Sequence, residues 1–135
     1  MRIMALDYGE QRIGIAMTDL LKMLASPYDI YYRKQTDEDY NFFLALIKEQ
    51  EVDTIVMGLP TNMEGEEQEI TQKARNFGAK LQKLSNCKLV FVDERMSSVI
   101  ADDILKQTER DWKKRKAQLD KYAAMVILQD YLDSI

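Results

Sequence analysis

Apolar positions along the chain switch repeatedly between two periods. Residues 2–7 (RIMALD) and 13–19 (IGIAMTD) are apolar runs joined by YGEQR, where Gly9 permits a tight turn, so they read as a β-hairpin. Residues 28–33 alternate Tyr28, Ile30 and Tyr32 against Asp29, Tyr31 and Arg33, the pattern of an antiparallel strand near a sheet edge. The period then lengthens. Tyr40, Phe43, Leu44 and Ile47 fall at i, i+3, i+4 and i+7, one stripe of an amphipathic helix with Thr36 and Asp37 as candidate caps. Residues 54–57 (TIVM) form a short buried strand that ends in Gly58-Leu59-Pro60. A second helix is expected over residues 66–84, with Ile70, Ala74, Phe77, Leu81 and Leu84 on one face. Residues 89–92 (LVFV) are another buried strand, closed by Asp93-Glu94-Arg95. Helical spacing resumes over 97–107 and 116–133, with a basic segment between them.

Strands alternating with helices predict an α/β domain, and continuous apolar strands joined through helices predict parallel neighbours covered on both faces. With 135 residues, 46% of them hydrophobic and 31% charged, the chain suits one unit with a packed core and a solvated surface. It carries no repeat, low-complexity tract or linker. No apolar stretch reaches the roughly 18 residues needed to span a bilayer. The first residues, MRIMALDYG, run into a charged strand with no secretory segment, so a soluble cytoplasmic protein without a membrane partner is expected.

Two counts exclude chemistry. One cysteine, Cys87, allows neither an intramolecular disulfide nor a cysteine zinc cage. The absence of histidine removes Ser-His-Asp triads, Cys-His pairs and His-ligated zinc. Catalysis must then rest on carboxylates, amines, hydroxyls or a metal held by oxygen ligands, for which magnesium or manganese is best suited.

The carboxylates have a place to meet. In an open parallel sheet, ligands bind beyond the carboxyl ends of the strands. Asp7 ends the first strand, Gly58 to Asn62 follow the strand beginning near Thr54, and Glu94 stands just past the strand ending at Val92. Right-handed crossovers put all three on one rim, although either acid alone reads equally as a strand-end cap or surface charge. Asp120 shares a helical stripe with Ala124, Ile127, Leu128 and Tyr131, the face expected to pack on the sheet. A carboxylate there is costly unless paired, protonated or bound to a cation, and Lys121 points roughly 100° away around the helix. The alternative is a half-buried Asp near a helix start, favoured by the macrodipole. Three converging carboxylates would hold divalent cations, and two such ions roughly 4 Å apart activate water and stabilise the leaving oxygen of a phosphodiester.

Net charge is −4, which argues against indiscriminate coating of nucleic acid. Residues 106–121 nonetheless carry seven Lys or Arg against three Asp or Glu. Such a segment is either a solvated loop or a footprint for phosphates, with Lys113, Lys114, Arg115 and Lys116 holding a nucleic-acid backbone and Trp112 stacking on a base or packing internally. The acidic stretch Glu64, Glu66, Glu67 and Glu69 reads as a loop and first helical turn.

LDYGEQRIGIAMTD (6–19), VMGLPTNMEG (56–65), VDERMSS (92–98) and KKRKAQLDKYAAMVILQDYLD (113–133) resemble the YqgF family, also called RuvX, in order and nearly end to end. Its members are described as candidate Holliday-junction resolvases and candidate pre-16S rRNA nucleases. The resemblance implies an RNase H-like fold, a five-stranded mixed sheet with three leading antiparallel strands and helices on both faces. It also implies cleavage of structured RNA or junction DNA with Mg2+ or Mn2+, two ions being expected, and work on ribosomal precursor particles at the 5′ end of small-subunit rRNA. The family's first-strand Asp falls on Asp7, the Glu of its DER block on Glu94 and the Asp of its DKxAA block on Asp120. Arg12, Asn62, Arg95 and Lys121 fall in matching blocks as binding or positioning residues. RNase H-like nucleases often add a carboxylate on the strand that here ends in Gly58 and another one turn from Asp120, where this chain has Ala123; Glu94 replaces the first, and Asp93 is the candidate fourth ligand.

Two other readings remain open at the level of sequence. An Asp followed by a Gly-containing hairpin also occurs in actin-like kinases and ATPases, but those close a cleft between two related domains and this chain supplies one. A non-catalytic RNA-binding assembly factor fits the acidic total and the thin ligand set, against the retained Asp7, Glu94 and Asp120. Both a monomer and a homodimer are compatible with the sequence.

Overall fold

The computed structural model describes residues 1–94 and 96–135; Arg95, one of the expected nucleic-acid-binding residues, lies outside the described residues. Among the described residues there are five strands and four helices: β1 (Arg2–Asp7), β2 (Arg12–Thr18), β3 (Ala25–Tyr32), α1 (Glu38–Glu49), β4 (Val52–Leu59), α2 (Glu69–Ser85), β5 (Lys88–Asp93), α3 (Ser97–Lys106) and α4 (Trp112–Ser134). The sheet order is β3-β2-β1-β4-β5. The first three strands form an antiparallel meander, and β1, β4 and β5 are parallel. The expected mixed five-stranded sheet with helices on both faces is the observed one.

Each face follows from the period of two along the strands. One side of β1, β2 and β4 presents Met4, Leu6, Ile13, Ile15, Ile55 and Met57 to Phe43, Leu46, Phe77 and Leu81 of α1 and α2. The other presents Ile3, Ala5, Ala16 and Val56 to Ala124, Ile127 and Leu128 of α4. Small strand residues on that second face allow the helix to lie close to the sheet. The stripe that Asp120 shares with Ala124, Ile127 and Leu128 therefore does face the sheet. α3 packs outside α4 through Ala101, Ala123 and Val126, so Ala123 fills a helix–helix contact where related enzymes often carry an acid.

Several boundaries move from those expected. β3 begins at Ala25 rather than Tyr28, because pairing with β2 continues to Thr18 opposite Ala25 across a register shift at Ile15/Ala16. At the start of α1 the expected cap Thr36 accepts from Glu38 N at 3.2 Å. Asp37 occupies the cap without a side-chain bond, whereas buried Asp39 accepts from the backbone N–H groups of Lys34 (2.9 Å) and Gln35 (3.3 Å), the Tyr31 hydroxyl (2.8 Å) and Arg33 Nε (3.1 Å). α2 begins at Glu69, three residues later than the spacing suggests. The preceding loop is closed by Asn62, and the Thr71 hydroxyl donates back to the Pro60 carbonyl. Leu84 is exposed at the helix end.

The largest correction concerns the basic segment. It is not a connection between helices: α4 begins at Trp112, so Lys113 to Lys116 form its first turn. Asp111 caps that turn by accepting from Lys113 N at 2.9 Å. No helix among the described residues is long and apolar enough to cross a membrane.

Candidate active site

Asp7 is the last residue of the central strand, and the same alternation that buries Ile3 and Ala5 under α4 turns its carboxylate to that face. Its partners across the ladder are Gly14 of β2 and Gly58 of β4. Paired residues share a face of the sheet, so the Asp7 side chain stands between two positions that have none. Both gaps are filled from outside the sheet. A Cβ on Gly14 would collide with the backbone carbonyl of Asp120 and stand 3.0 Å from the Asp120 Cβ. A Cβ on Gly58 would stand 2.6 Å from Glu94 Oε2 and 2.5 Å from Ile127 Cδ1. The glycines thus admit one acid on each side of Asp7. Glu94 fills the space that a side chain on Gly58 would have taken, as expected of a replacement for the missing strand acid.

Asp7 and Glu94 share a hydrogen bond, and both carboxyls are pushed up from their ordinary values. For Glu94 burial is the largest cause, followed by the charge of Asp7 and then the shared hydrogen bond, which together push it up to about 10. For Asp7 burial again dominates; the bond from Glu94 offsets part of it, Asp120 adds to it, and the result is about 6. Glu94 therefore holds the shared proton and Asp7 accepts. Glu94 Oε2 is buried and has no hydrogen-bond partner among the described residues. A buried carboxyl oxygen left without a donor is costly, and a cation satisfies it as a proton or an N–H would. The two carboxyls offer oxygen ligands, as hard divalent cations require, so Asp7 and Glu94 fit Mg2+ or Mn2+.

Asp120 sits beside this pair but is turned to another partner. Arg12, the first residue of β2 and two positions from Gly14 on the same face, donates from Nε to Asp120 Oδ2 at 2.5 Å. This is a single contact rather than a two-pronged fork. Among the described residues no group of three potential ligand side chains is gathered closely enough to hold a metal ion. The expected convergence of three carboxylates thus holds for Asp7 and Glu94, while Asp120 is held by Arg12. Asp7, the turn from Tyr8 to Arg12, and Asp120 line an open cleft of about 360 Å3.

The remaining expected residues divide into committed and available ones. The Asn62 carbonyl oxygen accepts from Glu64 N (3.1 Å) and Glu66 N (2.8 Å), and its amide donates to Glu66 (3.2 Å), so its polar atoms close the loop after β4. Arg115 bonds Asp102 (3.2 Å) and the carbonyls of Glu109 (3.3 Å) and Arg110 (2.9 Å), pinning α4 to α3 and the turn before it. Neither is free to bind a strand without giving up structure. Lys113, Lys114 and Lys116 are exposed, and Lys121 is half-buried one residue beyond Asp120. Trp112 is exposed at the same helix start, with the Lys113 ammonium 5.9 Å from its ring centre. Asp93 takes a 3.4 Å hydrogen bond from the Thr61 hydroxyl. The glycine roles were missed in the sequence, although a glycine inside a strand run next to a strand-end Asp is itself the signal of a close approach.

Comparison with known proteins agrees with this geometry. The family profile described as "RuvX: Holliday junction resolvase" matches residues 1–134. A protein of Halothermothrix orenii is 42% identical over 133 residues, covering 98% of this chain and 95% of its own, and is named a candidate pre-16S rRNA nuclease. A Fusobacterium nucleatum protein with the same name is 40% identical, with 98% and 96% covered. Among solved structures, Fowlpox virus resolvase bound to Holliday junction DNA superposes with a TM-score of 0.64 at 14% identity, covering 99% of this chain and 98% of that one. Thermus thermophilus RuvC with a Holliday junction gives 0.58 at 10% identity, covering 99% and 96%. At those identities the two structures establish the RNase H-like fold, whereas the profile and the full-length relatives establish kinship. The chain belongs to the RuvX Holliday junction resolvase family.

Proposed function

We propose that the chain is a divalent-metal-dependent nuclease that hydrolyses phosphodiester bonds of structured nucleic acid, with the 5′ region of precursor 16S rRNA as its substrate. The observation that carries this reading is the Asp7–Glu94 pair, two acids facing each other at the carboxyl end of the central strand with a buried oxygen that no donor satisfies. Such a pair disfavours its own ionisation and so binds a proton or a cation avidly. Mg2+ or Mn2+ would be held by Asp7 and Glu94, with Asp120 as the third ligand once it leaves Arg12. When bound, such an ion would supply Lewis acidity to water and to the leaving oxygen, chemistry that needs no histidine.

The protein's own groups do the rest. Asp7 and Glu94 stand on a rigid strand end and the residue after a strand, which keeps their oxygens at fixed spacing, with Asp7 lining the open cleft. Lys113, Lys114 and Lys116 place three exposed ammonium groups on the first turn of the helix that carries Asp120, where they bind the backbone of a strand entering the cleft. Trp112 is available to stack on a base there. The names of the full-length relatives favour rRNA; the resolvases that share the fold make junction DNA the competing substrate.

The test is cleavage of a 5′-extended 16S precursor and of a four-way DNA junction, with Mg2+ or Mn2+, by the wild type and by Asp7→Asn. Cleavage of the precursor by the wild type alone supports the proposal. Junction cleavage alone replaces the substrate. Binding of either nucleic acid without cleavage under any metal supports the rival reading, an RNA-binding assembly factor.

A further inference from the structure

Among the described residues Arg12 is the only basic side chain lining the cleft that holds Asp7 and Asp120, and it spends its Nε on the acid that the Asp7–Glu94 pair lacks as a third ligand. The contact is built to come apart. It is one bond rather than two, and the Arg12 side chain is 48% exposed, so swinging it into water costs little. Asp120 is less free, being 25% exposed and fixed by the close approach of its own backbone to Gly14. One partner is anchored beside the acid pair and the other is at the mouth of the cleft.

The geometry points to Arg12 as a resident counter-ion for Asp120, a latch that a divalent cation must displace before the third carboxylate can join Asp7 and Glu94. This rests on the metal-binding reading above and adds to it a competition within the protein. Without a cation, Asp120 would stand beside two further acids with nothing to balance it, which is the condition Arg12 relieves. With a cation at the pair, Arg12 both blocks the third ligand and repels the incoming charge. The latch therefore lowers metal affinity while keeping the empty site stable, and its removal should produce a protein that holds metal more tightly.

The experiment is a Mn2+ titration of the nucleic-acid-free protein, following the electron paramagnetic resonance signal of free Mn2+, for the wild type, Arg12→Gln, Arg12→Lys, Asp120→Asn and the double variant Arg12→Gln/Asp120→Asn. Releasing an exposed ion pair and one nearby positive charge should tighten Mn2+ binding about 3- to 10-fold in Arg12→Gln. Arg12→Lys, which keeps the charge but lacks the guanidinium, should fall between that variant and the wild type. In the Asp120→Asn background the gain from Arg12→Gln should shrink to the part owed to charge repulsion alone, because the latch has nothing left to hold. A gain undiminished in that background shows a field effect without a latch and overturns the inference, as does unchanged or weaker binding in both Arg12 variants. Failure of the wild type and every variant to bind Mn2+ refutes instead the metal site itself.

Discussion

Replacing Glu94 by Gln should stabilise the metal-free protein and destroy its activity together, and the gain should depend on pH. In the wild type Glu94 is pushed up to about 10 by burial first and by Asp7 second, so at neutral pH the folded protein keeps a proton that the unfolded chain releases. A carboxyl whose folded value is raised contributes full stability below its ordinary value of 4.5 and loses it as the pH climbs towards 10. At 1.36 kcal/mol per unit, that loss has an upper bound of about 5 kcal/mol at pH 8. Water at the cleft mouth and the sharing of one proton with Asp7 reduce it, and the cost of a buried polar group lacking its partner, about 1–3 kcal/mol, is the expected size. Gln carries a permanent N–H for Asp7 and has nothing to lose. Thermal unfolding followed by circular dichroism in EDTA should therefore give the two proteins equal midpoints near pH 5. By pH 8 the Gln variant should melt about 4–12 °C higher, at a few degrees per kcal/mol for a domain of this size. Saturating Mn2+ should restore the wild type and leave the variant unmoved. A midpoint difference that is the same at pH 5 and pH 8, or a Gln variant that melts lower at pH 8, would refute the shared proton.

Gly58→Ala should cost about 1–3 kcal/mol by overpacking, since its Cβ would press on Ile127 at 2.5 Å and Glu94 at 2.6 Å; a chemical denaturation midpoint measures it, and no loss would mean that α4 yields easily. Asp39→Asn should cost about 2–4 kcal/mol because it strips a buried acceptor from Arg33, Tyr31 and two backbone amides. Burial pushes the Asp39 carboxyl up, but the N–H of Lys34, the Tyr31 hydroxyl and Arg33 outweigh it and hold it below 3.8, so the wild type's advantage should be full above pH 4 and shrink as acid titrates it; an advantage unchanged in acid would count against this network. Changing Lys113, Lys114 and Lys116 to Ala should weaken binding to any sequence and reduce the slope of log affinity against log salt by about 2–3, read by fluorescence anisotropy. Arg115→Ala should instead lower the melting temperature, because that side chain braces α4 against Asp102. An unchanged salt slope in the lysine variant would place the strand elsewhere.

The fold was legible wherever one face of an element is apolar. Apolar runs marked β1 and β2, alternation marked the later part of β3, helical stripes marked α1 and α2, and the stripe from Asp120 to Leu128 correctly turned Asp120 toward the sheet. The start of α4 was not legible, because Lys113, Lys114 and Lys116 are exposed and the helical state of that turn depends on the Asp111 cap and on the largely buried Arg115 reaching back to Asp102. The three acids could be chosen from strand ends and one helix face, yet their state could not. Whether Glu94 keeps a proton depends on how deeply it is buried above Gly58, and whether Asp120 is bare depends on Arg12, 108 residues away along the chain. Period fixes a face; it does not choose a partner among the residues on that face.

The acidic cleft also explains why the chain keeps an arginine and a proton where its proposed chemistry needs neither. Among the described residues, three acids around one strand end, without a cation, are made compatible by two neutralising devices: the proton that Glu94 keeps and the guanidinium that Arg12 lends to Asp120. Both devices are replaceable by a divalent ion, and both weaken its binding until they are replaced. The third basic element, the lysines of α4, lies outside the cleft and faces solvent. It is therefore free to hold phosphates without competing for the acids. A net negative protein can thus recruit an anionic strand to an anionic site, because attraction is confined to one exposed helical turn while repulsion at the site is cancelled locally before any strand arrives.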